Sequence, residues 1–295
     1  MRTTVITILI LTFVACLNGC HKQPEPIVIT PDIEKNHLQR NHIFGLVKEI
    51  RTESFFPTDS ISLNDTTQLP KLLKRIKPDL ISQQRYTSDG FLTDFVKVKL
   101  PDDTLYRKYH YNKKAQIVAW KETSSTDTLV TRGKYLYDRN GFISGEQVFQ
   151  GDSVVIAFAH TTDGVGNIIR SAQSFGDYTT RTETKYNEQG LVSKVTEFEP
   201  NGKMFKTVTI EYDNYGDEVN RCVYKPGNVL IEFTYNLYAQ DGRQLKSIYE
   251  DKIHHVKEQT FYFDHDSQKN WQVEVTARDN QIISIRKRII NYFQN

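Results

Sequence analysis

The sequence predicts an all-β protein, an antiparallel meander of about sixteen strands that forms a curled sheet or an open barrel-like shell. The composition favours strands, because Tyr and Phe number 16 each while Met numbers only 2, and aromatic residues are enriched in sheets. A turn motif close to Tyr-Asp-x-x-Gly also recurs eight times, starting at positions 86, 111, 137, 162, 186, 212, 238 and 263. These intervals of 24 to 26 residues indicate an internal structural repeat.

Each copy of the motif predicts a β-hairpin. The Asp or Asn after the aromatic residue can accept hydrogen bonds from nearby backbone N–H groups. Glycine at the fifth position suits a turn that ends in a left-handed residue, because glycine tolerates positive φ. The glycines predicted to fill this structural role are Gly90, Gly141, Gly166, Gly190, Gly216 and Gly242. Ala115 and Ser267 stand at the same position in their copies, so those two turns are expected to differ.

The strands before the turns are predicted to share one aromatic-rich face, since residues two apart on a strand face the same side. The expected pairs are Tyr109 with Tyr111, Tyr135 with Tyr137, Ile210 with Tyr212 and Phe261 with Phe263. This face can be sheet core, or it can be an exposed face that binds sugars or peptides. Glu218 and Gln244 replace the apolar residue found after the turn in earlier copies, which predicts a bulge or register change there.

A second turn is expected at the far end of each hairpin. Turn-forming residues occur at the required places: Gly151-Asp152, Gly176-Asp177, Pro200-Asn201-Gly202, Pro226-Gly227-Asn228 and Asp279-Asn280. One period therefore contains two strands, and eight periods give about sixteen.

Residues 57–80 are predicted to be an insertion of loop and short helix before the first repeat. Pro70 to Pro78 reads as two helical turns between prolines. Leu72, Leu73 and Ile76 would pack on the sheet, or the basic side of the helix would contact an anionic lipid or a partner.

The N-terminus reads as an export signal. Residues 5–17 are almost continuously apolar but too short to span a bilayer core of about 30 Å comfortably. Leu17-Asn18-Gly19-Cys20 resembles the lipobox of bacterial lipoproteins. The resemblance implies a signal peptide over 1–19, acylation of Cys20 and a flexible tether over 20–40, followed by a single domain over 41–295. Because no Asp follows Cys20, we expect the outer membrane, with its periplasmic face favoured over the cell surface.

The repeats resemble the tyrosine-aspartate repeats of the Rhs family, in which such repeats form a hollow β shell around a toxin. The chain also resembles uncharacterised lipoproteins of Bacteroides-like bacteria, which open with Gly-x-Val-Lys-x-Val and close with Gly-Asn-Trp and a basic-aromatic strand. Here the matching segments are Gly45 to Ile50, Lys269-Asn270-Trp271, and Arg286 to Tyr292, with Lys269 in place of the glycine. The resemblance implies the fold and a cell-envelope setting.

Charge and motifs disfavour several functions. A net charge of +2 argues against a nucleic-acid partner. Cys222 is the one cysteine left after signal removal and acylation, so no disulfide within the chain is expected. His254 and His255 would face opposite sides of a strand, although either could meet His265 across strands. We therefore expect no metal, no cofactor and no catalytic residue.

The expected function is non-catalytic: a lipid-anchored envelope protein whose repeat surface binds a polysaccharide or a protein partner. Repeat surfaces commonly serve such roles. Two alternatives remain open, a hydrolase acting on envelope polymers and a carrier of a hydrophobic ligand. Trp120 and Trp271 are the best candidates for exposed stacking contacts with a ligand.

Overall fold

The fold is an all-β antiparallel meander closed into a barrel, which confirms the predicted fold class. The computed structural model describes residues 43–57, 61–63, 69–99 and 103–294. The signal peptide, Cys20 and the tether lie outside the described residues. Every strand pairs with the strands before and after it in the chain, and the first strand pairs with the last.

Over the described residues, the chain forms 18 strands and one short helix. In chain order they are β1 (Val47–Phe55), α1 (Leu69–Leu72), β2 (Leu80–Tyr86), β3 (Leu92–Lys99), β4 (Asp103–Tyr111), β5 (Ile117–Ser124), β6 (Thr131–Tyr137), β7 (Ile143–Gln150), β8 (Ser153–Thr162), β9 (Ile168–Phe175), β10 (Tyr178–Tyr186), β11 (Val192–Phe198), β12 (Met204–Tyr212), β13 (Glu218–Lys225), β14 (Val229–Tyr238), β15 (Gln244–Asp251), β16 (Val256–Phe263), β17 (Val273–Arg278) and β18 (Gln281–Tyr292).

Two strands outside the repeat period close the barrel. The eight predicted hairpins are β2 to β17, and the count of about sixteen omitted β1 and β18. Ile50 of β1 lies opposite Gln84 of β2 on one side and Ile290 of β18 on the other. These two strands contain the opening and closing segments noted above, and joining them leaves the sheet without an exposed edge.

Asn270 fastens this closure at the rim that carries the repeat turns. Its side chain is 2% exposed. Its Oδ1 accepts a hydrogen bond from Phe44 N at 2.8 Å, and its Nδ2 donates to Phe44 O at 2.8 Å and to the Tyr292 hydroxyl at 2.9 Å. One side chain thus ties the β16–β17 turn to both strands of the β1–β18 pair at one end of that pair.

The repeat turns follow the predicted chemistry. Asp138 Oδ1 accepts hydrogen bonds from Asn140 N and Phe142 N, both at 2.9 Å. The six predicted turn glycines have φ between 73° and 91°. The expectation that the Ala115 turn differs is wrong: Ala115 has φ 60°, and its N–H donates to Asn112 O at 3.1 Å, as in the other copies. The backbone pattern of the turn therefore overrides the preference of alanine for negative φ.

The eighth copy is offset by two residues from its predicted position. Its turn runs from Asp266 to Asn270, and the left-handed residue is Lys269, with φ 71°. β16 pairs with β17 in a regular ladder, and Tyr262 lies directly opposite Glu274, which is buried on the inward face. Residues two apart face the same side of a strand, so Phe261 and Phe263 face outward, and the prediction that they belong to the aromatic face is wrong.

The register change predicted for the sixth and seventh copies is a general feature of the repeats. Seven of the eight hairpins shift register just before the turn, six at a tyrosine and the β8–β9 hairpin at Thr162, and only the β16–β17 hairpin keeps a regular ladder. Glu218, which stands where earlier copies have an apolar residue, forms an ion pair with Arg221 at 2.6 Å.

The motif tyrosines join neighbouring repeats. Tyr137 donates its hydroxyl hydrogen bond to Ile117 O at 2.7 Å, and this bond crosses from one hairpin to the preceding one. Equivalent bonds start from Tyr111, Tyr186, Tyr212 and Tyr238. In the offset eighth copy, His265 Nε2 lies 3.0 Å from Gln244 O and takes the place of the tyrosine. The recurring aromatic residue therefore has a structural role at the rim.

The insertion packs on the outer surface at the opposite rim. Its helix α1 has four residues, so the prediction of two helical turns is wrong. So short a segment gains little from its own hydrogen bonds. Leu69, Leu73 and Ile76 instead contact an apolar cluster that includes Phe55 and Ile285, as expected for Leu73 and Ile76.

The turn geometry predicts a measurable strain at Gly190. Gly190 has φ +73° with nothing near the position of a Cβ atom, so Gly190→Ala should lower the free energy of unfolding by about 1–2 kcal/mol through backbone strain alone. Gly164 has equally open surroundings and no positive φ, so Gly164→Ala is the matched control. Urea unfolding curves measure both changes, and equal effects would contradict the turn assignment.

Candidate binding sites on the two faces of the barrel

Alternate residues of each strand face inward or outward, and their burial separates the two sets. The inward set includes Trp120, Glu146 and Val148, all buried. The outward set includes Lys108 and Arg132, both exposed. Charged groups occur on both faces.

Trp120 lies inside the barrel against a glycine. A Cβ atom at Gly133 would lie 2.0 Å from Trp120 Nε1, so the indole occupies space that only glycine leaves free. Its Nε1 donates to Glu146 Oε1 at 3.0 Å, and the Arg107 guanidinium lies 4.3 Å from the ring centroid. Burial raises the pKa of Glu146, and the Trp120 hydrogen bond opposes that rise. With 6% exposure, Trp120 offers no open face for stacking.

A surface cavity of about 700 Å³ lies over β5 and β6, next to the edge of Trp120. Its floor includes Ala119, Gly133 and Phe149, and its walls include Lys121, Arg132 and Lys134. The β5–β6 ladder beneath it has four paired positions, fewer than its neighbours on either side. The cavity therefore combines an apolar floor with walls that carry three basic side chains and one acidic side chain, Asp152.

Three cations form a row across the outward face, which we call the basic row: Lys108, Lys121 and Arg132. Lys108 lies directly opposite Lys121, and Lys121 lies directly opposite Arg132. Adjacent strands are about 4.8 Å apart, so the row spans roughly 10 Å. Like charges in directly opposed positions destabilise a sheet.

Carboxylates do little to neutralise the basic row. In the described part of the chain, neither Lys108 nor Lys121 forms an ion pair, while Arg132 contacts the exposed Asp152 at 3.1 Å. Asp94 lies opposite Lys108 on the other side, but its carboxylate accepts hydrogen bonds from Tyr106 and Thr93. By contrast, Arg170 and Arg181 on the outward face both lie near Glu183.

Trp271 lies at a second site, on the inward face near the closure of the barrel. The Arg288 guanidinium carbon is 3.5 Å from the centroid of the Trp271 ring. Tyr262 packs against the same ring, with a centroid separation of 5.7 Å. Arg286 forms a two-point ion pair with Glu274 beside this stack.

The histidines do not come together. His254 lies in the β15–β16 turn, where its Nδ1 is 2.6 Å from Asp251 Oδ2, and this hydrogen bond lowers the pKa of Asp251 to about 2. His265 lies beyond the other end of β16, so the suggested meeting with His254 or His255 is wrong. Among the residues that the structure describes, no group of three or more His, Cys, Asp or Glu side chains could hold a metal ion.

The other residues weighed as candidates for chemistry form no reactive group within the part of the chain that the structure describes. Asp138 and Asp213 each accept two backbone hydrogen bonds within their turns. Cys222 is a free, half-buried thiol on β13. The sequence-based predictions did not include Arg288 or the basic row. The three cations of the row do lie on three strands that the repeat pattern predicts to be neighbours.

Within the described ranges, no helix is both long enough and apolar enough to cross a membrane.

Comparisons with known proteins find similarity in structure alone. No family model matches the sequence, and no curated protein is similar to it. A porin-like protein from Bacteroides uniformis has 10% identity and a TM-score of 0.44, over 84% of this chain and 99% of that one. The structure of TcdB2-TccC3-TEV has 8% identity and a TM-score of 0.30, over 71% of this chain. The present chain spans 15% of the length of that protein.

Proposed function

We propose that this protein is a non-catalytic binding protein of the cell envelope, and that the basic row and its adjoining cavity bind an acidic polysaccharide. The basic row is the observation that carries the proposal. Opposed like charges cost stability in the free protein, and an anionic ligand would remove that cost while gaining contacts with Lys108 and Lys121. The same row would raise the rate of encounter with a polyanion.

The adjoining cavity supports a polymer as the ligand. A chain lying across β4 to β6 would contact the row with its acidic groups and the floor at Ala119 and Phe149 with its apolar faces. Clefts that combine an apolar floor with a few polar groups are the usual form of binding sites. On the inward face, charged groups such as Arg107 and Glu122 make the carrier of a hydrophobic ligand the less favoured alternative.

The envelope setting is part of the proposal and rests on the N-terminal sequence. An acylated Cys20 would anchor the domain to the outer membrane, most favourably on the periplasmic face, and the segment over 20–40 would let the barrel reach a polymer. The turn motifs further support grouping the chain with Rhs-like repeat lipoproteins.

Charge reversal tests the proposed surface. Lys108→Glu combined with Lys121→Glu should weaken binding to polygalacturonate by at least about tenfold, because two attractive charges become repulsive. Binding by the natural chain should weaken steeply with added salt, since exposed charges are screened. Isothermal titration calorimetry measures both effects, with dextran as the neutral comparison.

A second lysine pair provides the matched control. Lys185 and Lys194 lie directly opposite each other on β10 and β11 and are exposed. Their double change to Glu alters the net charge equally but should leave binding almost unchanged. An equal loss in both double variants would indicate non-specific attraction and contradict the proposal. Stronger binding of poly-glutamate than of polygalacturonate would favour an acidic protein partner instead.

A further inference from the structure

We propose a second binding site inside the barrel, where Arg288 binds the oxyanion of a small acidic ligand. This site is separate from the basic row, because it lies on the inward face at the closure of the barrel. A guanidinium carries five N–H donors. In the described residues, the Arg288 side chain forms no ion pair or hydrogen bond, and its Nε is buried without a partner.

The neighbouring arginine, Arg286, has a carboxylate partner, whereas Arg288 has none among the described residues. Arg286 lies two residues away, and its Nε and Nη2 contact the two oxygens of the Glu274 carboxylate, which is 3% exposed. The cluster therefore holds two cations and one anion, and Arg288 carries the charge that has no counterpart. Leaving a half-buried cation unpaired is costly.

The planar edge of the Arg288 guanidinium is the part that can bind a ligand. The Trp271 ring covers one face of the guanidinium at 3.5 Å, which leaves its planar edge for a two-point contact with a carboxylate or phosphate. Burial, and to a smaller extent the charge of Arg286, lower the pKa of Arg288 to about 10. The group therefore still carries its positive charge at neutral pH.

Polar side chains extend the site across the neighbouring strands. Thr52 lies directly opposite Arg288, and Ser82 lies opposite Thr52 on the next strand. These hydroxyl groups at the level of Arg288 can contact hydroxyls on the ligand, while Tyr262 and Trp271 provide aromatic surface. The side chain of Arg286 is 48% exposed, so water reaches the cluster beside Arg288. The chemistry fits an acidic monosaccharide or a small phosphate ester.

Titration of the full chain with glucuronate and with inorganic phosphate tests the site, with glucose as the neutral control. We expect binding of at least one anion, detected by calorimetry and by a change in tryptophan fluorescence from Trp271. Arg288→Gln should weaken that binding by at least about tenfold, because charge-assisted hydrogen bonds are lost. Preference for glucuronate would assign a sugar acid, and preference for phosphate would assign a phosphate group.

Two further variants keep the test decisive. Arg278→Gln removes an exposed arginine that pairs with Glu258 on the adjacent strand, and this change should leave binding intact. Arg288→Lys keeps the charge but loses the planar fork, so anions should raise its thermal midpoint less than that of the natural chain. The proposal is overturned if neither anion binds the natural chain, if a folded Arg288→Gln protein binds equally well, or if Arg278→Gln loses as much affinity.

Discussion

Replacing Asn270 with alanine should lower the free energy of unfolding by about 3 kcal/mol or more, because the change leaves buried polar groups without partners. The amide contacts both backbone groups of Phe44 and the hydroxyl of Tyr292. Those contacts tie the start of β1 and the end of β18, which lie side by side, to the β16–β17 turn. Urea unfolding followed by circular dichroism measures the loss.

Asn140→Ala is the control for this prediction. Asn140 is an exposed asparagine within another repeat turn, and its substitution should change the free energy of unfolding by no more than about 0.5 kcal/mol. The closure role of Asn270 would be refuted by equal effects of the two substitutions.

Gly133→Ala should cost about 2–4 kcal/mol, because the new methyl group occupies the position of the Trp120 indole. The Cβ atom would lie 2.0 Å from Trp120 Nε1, so the ring must move and its hydrogen bond to Glu146 must break. A buried carboxyl group then loses its donor. We expect lower stability together with a red shift of tryptophan fluorescence.

A double-mutant cycle separates this clash from a general loss of backbone freedom. In a Trp120→Leu background the steric conflict is relieved, so Gly133→Ala should cost much less than in the natural chain. The same cost in both backgrounds would show that the conflict with Trp120 is not the cause.

Most of the fold could be predicted because the repeats carry local turn chemistry. Gly141 and the acceptor Asp138 specify a hairpin from a few adjacent residues. The closing strands could not be counted in the same way, since Ile50 and Ile290 are 240 residues apart in sequence and belong to no repeat. Closure of the barrel depends on pairing between β1 and β18, which are distant in sequence, and a periodic pattern cannot predict such a pairing.

The eighth repeat shows how a local irregularity changes the face of a strand. Phe263-Asp264 matches the motif in sequence, yet the turn forms around Asp266 because Asn270 is held there by Phe44 and Tyr292. The regular pairing of β16 with β17 then places Tyr262 inside the barrel, opposite Glu274. The long-range contacts of Asn270 outweigh the local match of Phe263-Asp264 to the turn motif. The cluster around Trp271 therefore could not be predicted from the sequence.

The candidate sites were only partly predictable. Trp120 and Trp271 stand out in the sequence as the two tryptophans, and both lie beside the candidate sites. Their burial depends on partners from other strands, namely Gly133 and Arg288. The basic row likewise depends on register, because Lys108 and Lys121 become neighbours only when β4 and β5 are aligned.

Hydrogen–deuterium exchange of the full chain with and without polygalacturonate shows directly whether the polymer binds at the basic row. Binding there should slow backbone exchange along β4 to β6, centred on the segments that contain Lys108, Lys121 and Arg132, with little change in β10 and β11. Protection confined to other strands, or the absence of any protection at saturating polymer, would contradict binding at the basic row.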